Sequence, residues 1–268
     1  MRLPSAPQEW TRRSLQVLAV AAAVIFLVLV IGLGLALYYL INGTEDTKTV
    51  DQAAQSSSGA DKLDQLAASP LPTVPADLAQ PGLLTTEPIE TITLPVSTQT
   101  GPAGVRTGFP HTPEGAMAQL AAIDKTAIES GTVPGAQGVI TEWAAEGGPT
   151  PQTWSGVGAV AAFLESAGLP NTGDPSVVLQ LEPSMGFIKG EVGADSVIPC
   201  IDFVLIASAT QTNRVATADC QRMVWEGTRW VVGPGPEPAT PPSLWPGTDA
   251  SVKAGYRQIT LESQEAAQ

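Results

Sequence analysis

Cysteine and histidine, which most often carry redox, nucleophilic or metal chemistry, are scarce in this sequence. The chain holds two cysteines, Cys200 and Cys220, and one histidine, His111. One histidine excludes a multi-histidine metal site and leaves little for a Ser-His-Asp triad. His111 lies beside Pro110 and Thr112 at a predicted helix start, which favours a local hydrogen-bonding role. We therefore expect no metal and no cofactor.

Carboxylates are the remaining groups that could do chemistry. Asp195, Asp202, Asp219 and the acids of the predicted helices could contribute to a pair of acids of the kind that glycosidases use, but no local pattern singles out two of them. We therefore expect no enzymatic activity. Asp219 and Gln221 are polar exceptions on an apolar strand face, and they either line a pocket or are satisfied by local hydrogen bonds.

The two cysteines lie at the ends of PCIDFVLIASATQTNRVATADC, which has the alternation of two strands around a polar turn. A hairpin centred on Thr210 places Cys200 directly opposite Cys220, with Cα atoms about 4.5 to 5.5 Å apart. That separation suits a disulfide, which is the default for two cysteines outside the cytoplasm. The alternative is two free cysteines that pack together.

A run without charged residues extends over residues 15–41. About 20 apolar residues span a bilayer core of roughly 30 Å, so this length predicts a transmembrane helix. A cleaved signal peptide is the alternative, but its apolar core has only about 7 to 15 residues and is followed by a small-x-small site. The only such site, Gly34-x-Ala36, lies inside the run.

The orientation of this helix follows from the charges around it. Arg2, Arg12 and Arg13 precede it, and basic residues near a helix end are retained in the cytoplasm. Residues 1–14 are therefore predicted to be cytoplasmic and everything after residue 41 extracytoplasmic. The protein is thus expected in the cell membrane as a single-pass protein.

Residues 42–105 have the composition of a linker. This segment is rich in Pro, Ser and Thr and contains no aromatic residue, so it predicts a disordered tether. Within it, Leu84–Val96 alternates β-branched residues and could dock as an edge strand or bind a partner.

Residues 106–260 are predicted to form one extracytoplasmic α+β domain, followed by a disordered tail at 261–268. Helix signals cover Pro113–Ser130, Val139–Glu146 and a segment capped by Thr153. After residue 175 the apolar period changes to two, which predicts four antiparallel strands joined in sequence. The expected fold is helices packed on a curved four-stranded sheet, like a cone.

The turns fix which side chains share a face. Gly227-Thr228 suits a two-residue type II′ hairpin that sets Trp225 opposite Trp230. Combined with the hairpin centred on Thr210, this register gives a core face of Ile201, Phe203, Leu205, Val215, Met223, Trp225, Trp230 and Val232. The outer face then carries Cys200, Asp202, Cys220, Arg222, Glu226 and Arg229, so that the disulfide braces the outside of the sheet.

Trp245 and Tyr256 are the aromatic residues of the carboxyl-terminal segment. They either anchor this segment on the domain or form an exposed patch for a partner. The charge of the chain restricts that partner, because 25 acids and 10 bases follow the apolar run. Such a surface repels phosphate backbones, so we expect no direct nucleic-acid binding by the outer domain.

Three strings carry a resemblance to a known class of proteins: TGFPHTPEGAMAQLAAID, ADCQRMVWEGTRWVVGPG and PPSLWPGTDASVKAGYRQI. They resemble membrane proteins of actinobacterial conjugative elements. The order of anchor, spacer, helices and strands is similar to that of bitopic type IV secretion assembly factors, whose outer domain is nuclear-transport-factor-two-like.

The resemblance implies a non-enzymatic scaffold subunit of an envelope-spanning conjugative DNA transfer apparatus. Its partners would be the membrane, other subunits of the transfer complex and further copies of itself. The alternative is a tethered extracytoplasmic module that binds a small ligand or cell-wall fragment in a pocket near Asp219 and Gln221.

Overall fold

The computed structural model describes residues 59–262. The helices are α1 (Gly59–Ala68), α2 (Pro113–Glu129), α3 (Val133–Trp143), α4 (Ser155–Ser166) and α5 (Asp249–Lys253). The strands are β1 (Thr91–Leu94), β2 (Gln99–Thr100), β3 (Arg106–Thr107), β4 (Val178–Glu191), β5 (Ser196–Ser208), β6 (Thr212–Cys220), β7 (Met223–Trp225), β8 (Trp230–Val232) and β9 (Arg257–Leu261). The fold is α+β, as predicted.

Four of the sequence predictions fall outside the described residues. These are the cytoplasmic segment 1–14, the transmembrane helix 15–41, the first part of the linker and the end of the tail. Among residues 59–262, no helix has both the length and the apolar character needed to cross a membrane.

The main sheet has the order β1-β9-β4-β5-β7-β8, and β6 also pairs with β5. All its pairs are antiparallel except β1 with β9. The predicted four-stranded sheet is therefore too small, because β9 and β1 extend it beyond β4. Register shifts after Pro183 and Ile188 interrupt β4, and such bulges bend a strand.

The predicted hairpin register is confirmed. Cys200 lies opposite Cys220. The same register continues beyond the end of β6 and places Val197 opposite Met223. The predicted third strand is nonetheless divided into β6 and β7. Pro199 lies opposite the break, and a proline has no backbone N–H with which to continue the ladder.

Three helices pack on the core face of the sheet. In α2, Thr112 Oγ1 accepts a hydrogen bond from the Gly115 N–H, as the predicted N-cap requires. The next helix, α3, begins six residues before the predicted Val139, because Thr132 caps it in the same way. The predicted cap Thr153 is wrong: α4 has no side-chain cap of its own, and its Ser155 N–H donates to Glu237 Oε1 at 2.9 Å.

The opposite face of the sheet is covered as well, which corrects two predictions. The linker predicted through residue 105 is ordered from residue 59, and the cysteine-bearing face is not open to solvent. Leu63 and Ala67 of α1 pack on Cys200 and Cys220, which form a buried disulfide. Aromatic residues are unnecessary in α1, because the sheet supplies most of the apolar surface of this smaller core.

Polar contacts hold α1 at its middle and at its carboxyl end. Arg222, which is 3% exposed, donates through its guanidinium to Asp64 Oδ1 at 2.5 Å and to the Pro236 carbonyl at 2.6 Å. Lys189 donates to the carbonyls of Ala67 and Ser69 at the carboxyl end of α1. A cation at this end also complements the helix dipole.

The predicted edge strand within Leu84–Val96 is confirmed over Thr91–Leu94. This strand, β1, runs parallel to β9 and buries Ile92 and Leu94 in the main core. Residues 59–105 therefore pack with the domain predicted from residue 106, and β9 extends into the tail predicted from residue 261.

Candidate functional site

A cavity of about 140 Å³ lies between the core face of the sheet, the helices α2 and α4, and the loop at residues 237–241. Its apolar wall is formed by Ile128, Ala159, Leu181 and Phe203. Its polar wall contains three carboxylate residues, one each from α2, β6 and the loop: Asp124, Asp219 and Glu237. This cavity is the candidate functional site.

The structure brings the two predicted pocket residues together. Asp219 lines the cavity, and its Oδ1 accepts a hydrogen bond from Gln221 Nε2 at 3.2 Å. Gln221 is 1% exposed and also donates to Ser155 Oγ at 3.2 Å. Gln221 therefore orients Asp219 and connects it to the first turn of α4.

Asp124 is a cavity residue that sequence reasoning did not single out. It is 6% exposed and occupies the buried side of α2, beside Leu120 and Ala127. A signal was present, because Met117, Leu120, Asp124 and Ala127 follow the spacing of one apolar helix face. A carboxylate at a core position of such a face marks a buried polar site.

Three polar atoms of the cavity residues are buried and have no hydrogen-bond partner. They are Asp124 Oδ2, Asp219 Oδ2 and the indole Nε1 of Trp154, whose side chain is almost completely buried. Buried polar groups nearly always have partners, and leaving one without a partner costs roughly 1–3 kcal/mol. The cavity residues therefore retain two carboxyl oxygens and one indole N–H whose hydrogen-bonding capacity is unused.

Burial raises the pKa of two carboxyl groups of the cavity, Asp219 and Asp124. Burial raises the pKa of Asp219 to about 7; the hydrogen bond from Gln221 opposes this rise, and the charge of Glu237 adds to it. Burial also raises the pKa of Asp124 well above its usual range, with further contributions from the charges of Asp219 and Glu237. Burial therefore favours the protonated form of Asp124, and Asp219 titrates near neutral pH.

The cavity does not form a metal centre. Among the described residues, no group of three or more His, Cys, Asp or Glu side chains is arranged to hold a metal ion. His111 lies elsewhere: its ring stacks on Trp225 with centroids 4.5 Å apart, and its Nε2 contacts Asp195 Oδ1 at 2.8 Å and the Ala194 carbonyl at 3.0 Å. His111 therefore bonds to a distant segment of the chain rather than locally at the helix start, which corrects the predicted role.

The predicted partner patch is wrong for Tyr256 and is replaced by the alternative, an anchored carboxyl-terminal segment. Tyr256 is 2% exposed, packs with Met185 and Leu244, and donates its hydroxyl to the Pro242 carbonyl at 2.9 Å. Trp245 is half-buried, and its backbone N–H donates to the Leu78 carbonyl. A buried tyrosine cannot belong to an exposed docking patch.

Comparison with known proteins gives the chain no relatives. No protein-family model, no curated protein and no solved structure matches it.

Proposed function

We propose that this protein is a non-enzymatic, membrane-anchored scaffold subunit of an envelope-spanning conjugative DNA transfer apparatus of the type IV secretion kind. In this proposal the chain crosses the membrane once at residues 15–41, with a cytoplasmic amino terminus, and displays residues 59–262 outside. The observation that supports it is the order of elements, three helices followed by a bent antiparallel sheet. The same order is implied by the resemblance.

The disulfide supports an extracytoplasmic location for the domain. Structural disulfides persist in oxidising compartments and are rare in the cytosol of most organisms. Cys200 and Cys220 are bonded and buried, so this bond is part of the fold rather than an exposed redox site.

A groove next to the free edge of β4 offers a docking surface for a scaffold. Strand β9 pairs with β4 only at Met185 and Gly186, so the sheet opens beyond them. Lys125 and Glu129 bond to the backbone carbonyl and N–H of Leu181 in this opening. These contacts occupy backbone groups of β4 with which an added strand would have to pair. A partner must therefore dock through side-chain packing in the groove.

We propose that a second copy of this chain occupies the groove. The groove is lined by apolar residues, including Leu94, Phe109 and Leu261, and its charged lining is balanced between two cations, Arg106 and Lys125, and two acids, Glu129 and Glu182. The chain as a whole has a net charge of -13, so a part of its surface whose cations and acids balance is where two copies repel one another least.

Leu261→Glu tests this docking surface. Leu261 is 70% exposed, so the substitution places a charge in the groove with little effect on folding, and we expect self-association to weaken at least tenfold. The measurement is the concentration dependence of mass for the full-length protein in detergent. Leu83→Glu is the control, because Leu83 is 94% exposed and lies outside the groove.

Equal weakening by both substitutions, or a wild-type protein that is monomeric at all concentrations, would refute docking through the groove. The transfer function is tested separately by purifying the full-length protein from membranes of its own cells. The membranes are cross-linked before purification, and we expect a translocating ATPase or channel subunit to co-purify. The absence of both from the cross-linked complex would contradict the proposed apparatus.

The second candidate function is the binding of a small ligand or cell-wall fragment by the tethered domain. It is favoured by one observation, the three buried atoms without partners in the cavity residues. A ligand that pairs with Asp124, Asp219 and Trp154 would remove their desolvation penalty and stabilise the folded protein. The two functions are compatible, because the cavity and the groove have nearly separate linings.

A further inference from the structure

The polar lining of the cavity has one sign of charge. Asp124, Asp219 and Glu237 are its titratable side chains, and among the described residues no lysine, arginine or histidine lines it. Helix α4 and strands β4 and β5 contribute no titratable side chain to the lining. Water can hydrogen-bond to these oxygens, but only a cation can balance the charge of an ionised carboxylate that is removed from bulk water.

The unpartnered atoms provide a second observation, independent of the cluster of acids. Asp124 is 6% exposed, and its Oδ2 has no partner, although its residue lines the cavity. The same holds for Nε1 of Trp154, which is 2% exposed. An acceptor and a donor are thus buried without the groups that would satisfy them.

The shape of the site favours an organic cation of a few heavy atoms. A volume of about 140 Å³ exceeds the roughly 30 Å³ that one water molecule occupies in the liquid. Trp154 also contributes an aromatic wall, and an indole face attracts ammonium groups. A glycine at position 156 allows the Trp154 ring to take this position, because a Cβ at residue 156 would lie 2.6 Å from the ring.

We propose that the cavity binds a small alkylammonium ion between its carboxyl groups and Trp154, and that binding releases a proton from the Asp124–Asp219 pair. This inference rests on the second proposed function, ligand binding in the cavity, and names the chemical class of the ligand. It is independent of the scaffold function.

The proton release follows from the state of the empty cavity. Asp219, with a pKa raised to about 7 by burial, is largely protonated at pH 6 and largely ionised at pH 8. A cation beside it favours the ionised form, so binding at low pH must displace the proton. Affinity should therefore fall about tenfold from pH 8 to pH 6. Asp124 and Glu237 are the other carboxyl groups that line the site.

The experiment compares choline with 3,3-dimethyl-1-butanol, which has nearly the same shape and no charge. Calorimetry of the full-length protein, in a maltoside detergent that carries no ammonium group, should show choline binding at least tenfold more tightly. Buffers of different ionisation enthalpy at pH 6 should reveal the released proton. Methylammonium serves as a smaller probe with the same charge.

Two matched variants localise the effect. Asp219→Asn should weaken choline binding at least tenfold at pH 8 and flatten the dependence on pH, because the neutral amide neither titrates nor balances the cation. Glu226→Gln removes an exposed carboxylate on the β7–β8 turn and should change neither. Thermal unfolding of each variant confirms that it is folded.

The outcomes separate this inference from the proposed function on which it rests. Equal affinity for choline and the neutral alcohol, lost in Asp219→Asn, would overturn the cation preference and leave ligand binding in place. Binding of choline or methylammonium that Glu226→Gln weakens as much as Asp219→Asn does would move the site away from the cavity. No binding of any probe at either pH would overturn both proposals.

Discussion

Replacing Asp202 with asparagine is expected to stabilise the protein by about 2 kcal/mol at pH 5 and about 4 kcal/mol at pH 7. Asp202 is completely buried on the face of β5 that the carboxyl-terminal segment covers. Its Oδ1 accepts a long hydrogen bond of 3.5 Å from the Leu244 N–H, and its Oδ2 has no partner. The ionised carboxylate is therefore poorly compensated in the folded protein.

The dependence on pH follows from the pKa of this carboxyl. Burial raises the pKa of Asp202 from 3.8 to about 8, and the Leu244 N–H only partly opposes the rise. The folded protein thus keeps a proton that the unfolded chain releases above pH 3.8. Folding carries no penalty from Asp202 at low pH, and the penalty grows until the pH passes the raised pKa. Asparagine resembles the neutral acid and removes this penalty.

Denaturant unfolding of both proteins at pH 5, 6 and 7, followed by tryptophan fluorescence, measures the difference. Asp174→Asn is the control of opposite sign. Asp174 is exposed, and hydrogen bonds from the Ser176 hydroxyl and N–H lower its pKa, so its loss should slightly destabilise the protein at neutral pH. A difference between Asp202→Asn and wild type that stays constant over this range contradicts a titrating buried carboxyl.

Asp202 also shows where sequence reasoning about this fold reached its limit. Its position on the face of Cys200 and Cys220 follows from the period of two and from the hairpin centred on Thr210, and the observed pairing confirms that register. What covers that face could not be predicted, because α1 and the segment that ends at Tyr256 reach it from distant parts of the chain. Local periodicity contains no information about such packing.

The extension of the sheet has the same physical origin. Strands β1 and β9 pair in parallel although more than half of the chain separates them, as in the pair Thr91 and Gln258. A four-residue strand without a hairpin partner gives only a weak alternating pattern. The absence of aromatic residues between Tyr39 and Phe109 then made an ordered segment resemble a linker. Leu63, Ile92 and Leu94 show that aliphatic residues suffice for packing when the sheet already provides an apolar surface.

The candidate site was predicted in part. Asp219 and Gln221 break an alternating strand pattern, so the sequence identifies them as unusual, and the structure places Asp219 in the cavity with Gln221 bonded to it. Asp124 could have been found from the helical period of α2, because it lies on the same face as Leu120 and Ala127. Glu237 could not be found, because a loop residue far from α4 has no periodic pattern that places it at that helix.

Removing the disulfide by replacing Cys200 and Cys220 with alanine is expected to destabilise the protein by about 3 kcal/mol. The two cysteines are separated by 20 residues, and a crosslink of this span removes conformational entropy from the unfolded chain. Both residues are buried against Leu63 and Ala67, so the substitutions also remove packing from the smaller core. The measurement is the free energy of unfolding from denaturant titration, in full-length protein.

A reductant separates the crosslink from the packing. Equilibrium titration of the wild type in dithiothreitol breaks the bond but keeps both sulfur atoms, so it should show the entropic loss alone, and the double variant should not respond to the reductant. Mass spectrometry of unreduced, alkylated protein from its own cells then tests the compartment. An oxidising environment should protect both cysteines from alkylation, whereas two alkylated thiols would contradict the extracytoplasmic location on which the scaffold proposal depends.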